Sequence, residues 1–211
     1  MLNLLIQSYF GIVDYNDEAC LKKACIRRAY LDCARVIPYR KDSSDFETDG
    51  TIEKMKNNFY EVCQNYLLSS NLANGVDKVI MGLKRLGEDK SDLFKSPGFT
   101  CGMAQKWVNM TFKYFWLFGI INSEDIEKLH APLDSYIIHA ISDVNKKNKY
   151  GFNFENGKYK NVKWSRNLTE EQYCTIQRLI KQGIKEKGIP SVIEWENMAW
   201  IEQAKIESDL D

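Results

Sequence analysis

Lys106 is the leading candidate for a catalytic residue, because it is a charged side chain near the start of an almost wholly apolar stretch, Ala104 to Phe118. The apolar residues occupy nearly every direction around a helix and predict one that is buried on most sides. Lys106, Asn109 and Lys113 are spaced at i, i+3 and i+7, so they share one narrow polar face. Burial favours the neutral lysine amine, which acts as a nucleophile or base. The alternative is a first-turn lysine whose stem reaches water over apolar neighbours.

Asp134 is the second candidate, and it follows Pro132 at the start of the next predicted helix. At a helix N-terminus the free backbone N–H groups and the helix dipole favour an ionised, oriented carboxylate. The alternative is an ordinary N-terminal capping residue with no chemical role. His130 precedes Asp134 by four residues, and it is either a pocket residue or a surface histidine of the loop.

Taken together, these motifs resemble the helix-hairpin-helix DNA glycosylase superfamily, and within it the 8-oxoguanine DNA glycosylases. Gly102-Met103-Ala104-Gln105-Lys106 is similar to the family's glycine-containing hairpin with its catalytic lysine, and Pro132-Leu133-Asp134 is similar to its acid motif. A charged insertion over Asn122 to Lys128 lengthens the connection between them, which is more similar to the archaeal-type branch. The resemblance covers about forty residues, and it implies a fold of the glycosylase type.

The resemblance also implies a chemistry and a set of site residues. A neutral Lys106 amine would attack the anomeric carbon of a flipped nucleotide, and Asp134 would stabilise the cationic sugar. Several tryptophans are candidates for stacking on the extruded base, although most aromatic residues of a helical domain form its core. The candidates for substrate binding are Gly102, Gln105, Trp107, Asn109, His130 and Trp200.

Composition permits this function without requiring it. The 211 residues include 29 basic and 29 acidic side chains, for a net charge of +0, and this balance argues against a strongly cationic coat for nucleic acid. A DNA-binding enzyme would therefore gather its basic residues on one face, and the alternative for each cluster is a solvated surface. The candidate clusters are Lys22, Lys23, Arg27 and Arg28; Lys146, Lys147 and Lys149; and Lys158, Lys160, Lys163 and Arg166.

The remaining residue types predict no cofactor and no metal. The six cysteines contain no Cys-x-x-Cys pair and are interpreted as reduced core thiols, three of them on one helix. The two histidines belong to no cluster with the spacing of metal ligands. The start of the chain lacks the features of a signal peptide, and no apolar run is long enough to span a membrane. We therefore expect a soluble, cytoplasmic monomer without membrane contact.

The periodicity of the apolar residues predicts an all-α fold, a helix-hairpin-helix glycosylase-like bundle with one small β-hairpin. The hairpin is predicted over Phe152 to Tyr159, around Asn156-Gly157. A charged loop is predicted over Arg40 to Gly50. Residues 1–211 form one helical domain, and the alternative is two lobes, 1–95 and 96–211, with the cleft between them. The predicted helices are Leu2 to Val13, Asp17 to Pro38, Ile52 to Ser69, Gly75 to Leu86, Ala104 to Phe118, one from Asp134, Leu168 to Lys187, and one from Pro190.

Three functions follow from these observations. The first is a DNA glycosylase with AP lyase activity that excises a modified purine from DNA, with Lys106 and Asp134 as catalytic residues. The second is a helical protein outside DNA repair that binds a nucleobase or nucleotide, which the neutral charge balance would suit. The third is an interaction module without chemistry.

Overall fold

The computed structural model describes residues 2–11, 14, 16–40 and 51–209. The all-α prediction is confirmed, since these residues are mostly helical. Every helix in the described ranges falls short of the length and apolar content of a transmembrane span. From residue 41 onwards the predicted charged loop lies outside the described residues, as do Ile12 and Val13. The helices are α1 (Leu2–Phe10), α2 (Glu18–Ala34), α3 (Thr51–Ser69), α4 (Val76–Glu88), α5 (Cys101–Leu117), α6 (Ser135–Ile141), α7 (Trp164–Asn167), α8 (Glu170–Glu186) and α9 (Val192–Ser208).

The chain forms two compact units, Met1–Ile121 and Asn122–Asp211. The boundary follows α5, whereas the two-lobe alternative sets it between residues 95 and 96. The difference has a packing cause, because α5 lies against α2 and α4 and so belongs with the helices that precede it. Lys106 is therefore part of the first unit, and Asp134 is part of the second.

The first unit is built around α5, which packs on α2 and α4, while α3 packs on the same two helices. Local capping sets the helix starts: the Asp17 carboxylate accepts hydrogen bonds from the N–H groups of Ala19 and Cys20 and starts α2. The Thr100 hydroxyl accepts one from Met103 N–H and starts α5. All residues of α5 from 101 to 112 are buried, as the apolar sequence predicts.

In the second unit α9 packs against α6 and α8. Asp134 is the N-cap of α6. Thr169 and Gln172 form a reciprocal capping box that starts α8, and the Ser191 hydroxyl accepts a hydrogen bond from Glu194 N–H at 3.1 Å to start α9. In each of these caps the two bonded residues are three positions apart. The sequence therefore indicates where these helices start.

The predicted β-hairpin is wrong, because the described residues of the second unit contain a turn at this place without flanking strands. Glu155 and Asn156 both have positive φ, 47° and 52°, as in the tight turns that favour Asn-Gly. After this turn Lys158 has a right-handed helical backbone conformation. The chain therefore continues towards α7 and does not form a second, antiparallel strand. The flanking aromatic residues pack instead, and Phe152 stacks on Phe154 with ring centroids 4.8 Å apart.

Candidate functional site

Lys106 lies in the second turn of α5, and only 7% of its surface is exposed. Such burial is rare for lysine, whose charged form loses hydration there. The Lys106 charge acts on Cys33 of α2: burial raises the pKa of the Cys33 thiol to about 12, and the positive charge of Lys106 opposes this rise. The lysine side chain is therefore directed into the interior of its unit, with only a small part in contact with water.

Polar groups flank Lys106 on the same helix. Asn109 Nδ2 donates a hydrogen bond to Gln105 Oε1 at 3.0 Å, and the two residues are 1% and 0% exposed. They stand at i and i+4, the spacing that brings side chains together on a helix. Three predicted site residues, Gln105, Lys106 and Asn109, thus form one buried polar segment of α5.

The turn before this helix lies earlier than the sequence motif indicates. Gly102 is the second residue of α5 and is buried, so Gly102 to Lys106 form helix rather than a hairpin loop. The turn itself is closed by a hydrogen bond from Gly98 N–H to the Lys95 carbonyl at 2.7 Å, and Gly98 has φ +84°. Thr100 decides the position of the helix start, because its hydroxyl caps the helix two residues before Gly102.

Trp107 is a core residue of the first unit. It is fully buried, its indole N–H donates to the Ile26 carbonyl at 3.1 Å, and its ring stacks on Tyr60 with centroids 6.0 Å apart. These contacts occupy the polar atom and one face of the ring. The structure therefore gives Trp107 a packing role.

The second unit brings together two predicted site residues, Asp134 and Trp200, which are far apart in the sequence. Asp134 Oδ1 accepts a hydrogen bond from Ile137 N–H, and its Oδ2 accepts one from the Trp200 indole N–H, both at 3.1 Å. Trp200 is 36% exposed, and its ring meets Tyr136 edge to face at 4.9 Å. The carboxylate is thus oriented by a backbone donor and a side-chain donor while it remains half-buried.

Helix α8 orients the segment that leads to Asp134, a role that sequence reasoning missed. Gln177 is 2% exposed, and its side-chain amide forms hydrogen bonds with both backbone polar groups of Ala131. Ala131 N–H donates to Gln177 Oε1 at 3.0 Å, and Gln177 Nε2 donates to the Ala131 carbonyl at 2.7 Å. One turn earlier, the Tyr173 hydroxyl lies 2.8 Å from His130 Nδ1. The sequence feature that could have indicated this role is Gln177 itself, a polar residue on the apolar face of α8.

His130 is half-buried beside Tyr173. Burial, and to a smaller extent the charge of Lys181, lower the pKa of His130 to about 3. A neutral imidazole at physiological pH therefore stands four residues before the Asp134 carboxylate.

The first unit also contains a cavity of about 680 Å³ between α2 and α3. Tyr30, Tyr39 and Tyr60 contribute aromatic surface to its lining, and Lys23 and Arg27 contribute positive charge. The Tyr30 and Tyr39 hydroxyls are 3.2 Å apart, which fixes two of the rings relative to each other. A cavity with aromatic walls and cationic groups suits a planar, anionic ligand.

No family model matches this chain, and no curated protein or solved structure matches it either.

Proposed function

We propose that the chain is a DNA glycosylase with AP lyase activity that excises a modified purine of the 8-oxoguanine kind, as the resemblance of its motifs implies. The observation that carries the proposal is the burial of Lys106, with 7% exposure, among paired polar side chains on α5. The reaction needs a lysine amine as its nucleophile, and Lys106 provides one within a polar segment of an otherwise apolar buried helix.

In the proposed reaction the Lys106 Nζ lone pair attacks C1′ of the flipped nucleotide, and the C1′–N9 bond breaks. The base leaves with the bonding electrons and takes up a proton, while the amine loses one. Opening of the sugar at the C1′–O4′ bond, with O4′ taking up the second amine proton, then gives a Schiff base. Removal of a C2′ proton expels the 3′ phosphate and cleaves the strand. No oxidant or reductant is required.

Asp134 acts in the proposal through its charge. The transition state of base loss resembles a sugar cation, which a fixed carboxylate stabilises. Support comes from the two hydrogen bonds that this carboxylate accepts, from Ile137 N–H and from the Trp200 indole N–H, because they hold it in one orientation. A preorganised charge of this kind costs little reorganisation during the reaction.

Borohydride trapping on a duplex with one 8-oxoguanine tests the proposal. We expect a covalent protein–DNA adduct with the wild-type chain and none with Lys106→Gln, because only an amine forms the reducible Schiff base. Lys84→Gln is the control, since Lys84 is an α4 lysine paired with Glu88. Absence of an adduct with the wild type, or its persistence in Lys106→Gln, contradicts the proposal.

A second candidate function, binding of a free nucleotide, is favoured by the cavity between α2 and α3 with its tyrosines and cations. Calorimetric titration with GMP and 8-oxo-dGMP distinguishes it from the first. A mononucleotide ligand should bind with weak salt dependence and be lost in Tyr30→Ala, whereas duplex binding weakens steeply as salt rises. A protein that forms no adduct and binds neither ligand is an interaction module.

A further inference from the structure

A groove of about 650 Å³ in the second unit collects one of the basic clusters of the sequence. Its walls come from α6, from the segment that leads into α7 and from α7 itself. The lining residues used below are Ser135, Lys160, Lys163, Trp164 and Arg166.

The groove is positively charged although the chain as a whole is neutral. Residues 157–169 contain four basic and no acidic side chains, against 29 of each in the full sequence. Lys160, Lys163 and Arg166 are exposed, and within the described part of the chain none of them forms a salt bridge. Unpaired cations that converge on one groove raise the local positive potential and attract anions.

Lys158 belongs to the same sequence cluster, but it differs from the other three cations in its pairing and in its position relative to the groove. It forms a salt bridge with Glu155 and is absent from the groove lining. Three of the four neighbouring cations therefore line the groove, and the fourth, Lys158, is neutralised by Glu155.

Trp164 adds an aromatic surface between the cations. It is half-buried in the groove wall, so part of its ring is accessible. Grooves that follow a nucleic acid strand combine positive charge along the backbone with aromatic rings on which bases stack. Phosphate binding alone would need no such ring.

The groove reaches the N-terminus of α6, the helix that Asp134 caps. Ser135 lines the groove and is the first residue of α6, directly after the N-cap Asp134. Both residues belong to the second unit, so this proximity is fixed within one compact body. A strand bound along the whole groove would therefore contact the first residue of α6, next to Asp134 in the sequence.

We propose that Lys160, Lys163 and Arg166 bind consecutive backbone phosphates of the DNA strand, with Trp164 against a neighbouring base. The inference rests on the proposed function in taking DNA as the partner, and it names the surface that holds the strand beside Asp134. The three cations give this groove a local positive charge, although the chain as a whole has a net charge of +0.

Salt dependence of binding tests the groove directly. The affinity for an undamaged duplex is measured by fluorescence anisotropy over a range of salt concentrations for Lys160→Ala, Lys163→Ala, Arg166→Ala and the triple variant. Each phosphate contact contributes about 0.9 to the slope of log K against log salt. We expect each single variant to reduce the slope by about that amount and the triple variant by about three times as much.

Lys158→Ala is the matched control, since it removes one positive charge from the same segment outside the groove. Its slope should stay close to that of the wild type, and Arg166→Lys should retain the slope that Arg166→Ala loses. An unchanged slope in the triple variant, an equal loss in Lys158→Ala, or a wild type that does not bind the duplex overturns the proposal. Thermal unfolding of each variant checks that the second unit is folded.

The outcomes of the two proposals are separable. An adduct with Lys106 together with an unchanged slope in the triple variant overturns the groove and leaves the glycosylase function standing. Loss of slope in the groove variants without an adduct in the wild type overturns the catalytic proposal and leaves DNA binding at the groove.

Discussion

Asp134 both caps α6 and carries the charge that the proposed reaction uses, and two substitutions separate these roles. Asp134→Asn retains an oxygen that can accept from Ile137 N–H, so we expect it to cost about 1 kcal/mol or less of folding stability. It removes the negative charge, and base excision should fall steeply. Asp134→Ala removes the cap as well, at a typical cost of about 1 kcal/mol. Urea unfolding and single-turnover excision measure the two effects.

If Asp134→Asn excises the lesion at the wild-type rate, the carboxylate is a cap and nothing more. Trp200→Phe provides the companion measurement, because it removes the indole N–H that donates to Asp134 and keeps a smaller aromatic ring beside Tyr136. We expect it to lower excision less than Asp134→Asn does.

His130 should make the protein less stable in mild acid. Its pKa is about 3 in the folded chain because of burial, against 6.5 for an ordinary histidine. Below pH 6.5 the unfolded chain binds a proton that the folded chain does not, so stability is lost as the pH falls from 6.5 towards 3. Between pH 7 and pH 5 the loss from this residue is about 2 kcal/mol.

Urea unfolding at the two pH values measures the loss, and His130→Gln should abolish it. His139→Gln is the control, because His139 is exposed and bonded to Glu207. An equal reduction of the acid sensitivity in both variants would show that burial of His130 is not its cause.

At the scale of the elements, Gly183 allows α8 to pack against the loop that replaces the predicted hairpin. A Cβ at this position would lie 2.6 Å from the Phe152 ring, which also stacks on Trp195 at 5.2 Å and on Phe154. A helical Gly→Ala change ordinarily stabilises by about 1 kcal/mol. Here we expect Gly183→Ala to destabilise by about 1–3 kcal/mol, because the stacked ring cannot move away.

A double-mutant cycle with Phe152→Ala measures this coupling by chemical unfolding. In the Phe152→Ala background, Gly183→Ala should become stabilising, since the ring that it meets is gone. The same sign in both backgrounds would rule out the steric cause.

At the scale of the whole molecule, the cysteines differ in burial, and the fully buried ones report whether the first unit remains folded. All six are free thiols, and Cys25, Cys33 and Cys63 are fully buried. Burial raises the pKa of each of these three thiols, that of Cys25 to about 12, which makes its reactive thiolate roughly a thousandfold scarcer than that of a thiol with a pKa of 9.0.

We therefore expect iodoacetamide at pH 8 to label the half-buried Cys20 and Cys174 in the native protein, and to reach the fully buried Cys25, Cys33 and Cys63 only in denaturant. Mass spectrometry of the labelled peptides measures this. Rapid native labelling of Cys33 would contradict the packing of α2 against α5.

Local sequence determined where the helices of this protein begin. Asp17, Asp134 and Thr169 each cap a helix through hydrogen bonds to residues two or three positions later, so the sequence contains both partners of the interaction. The buried character of α5 was predictable for the same reason, because its apolar residues cover the helix on nearly all sides.

The contacts between residues far apart in the sequence depend on the tertiary structure. Trp200 meets Asp134, and Gln177 holds Ala131, across many residues of chain that no local pattern connects. The Asn156-Gly157 segment forms a turn but no hairpin. An isolated two-stranded ribbon is marginally stable in water, and here Phe152 stacks on Trp195 of α9. Local hydrogen bonds are encoded in short segments, whereas such contacts exist only after distant helices have packed together.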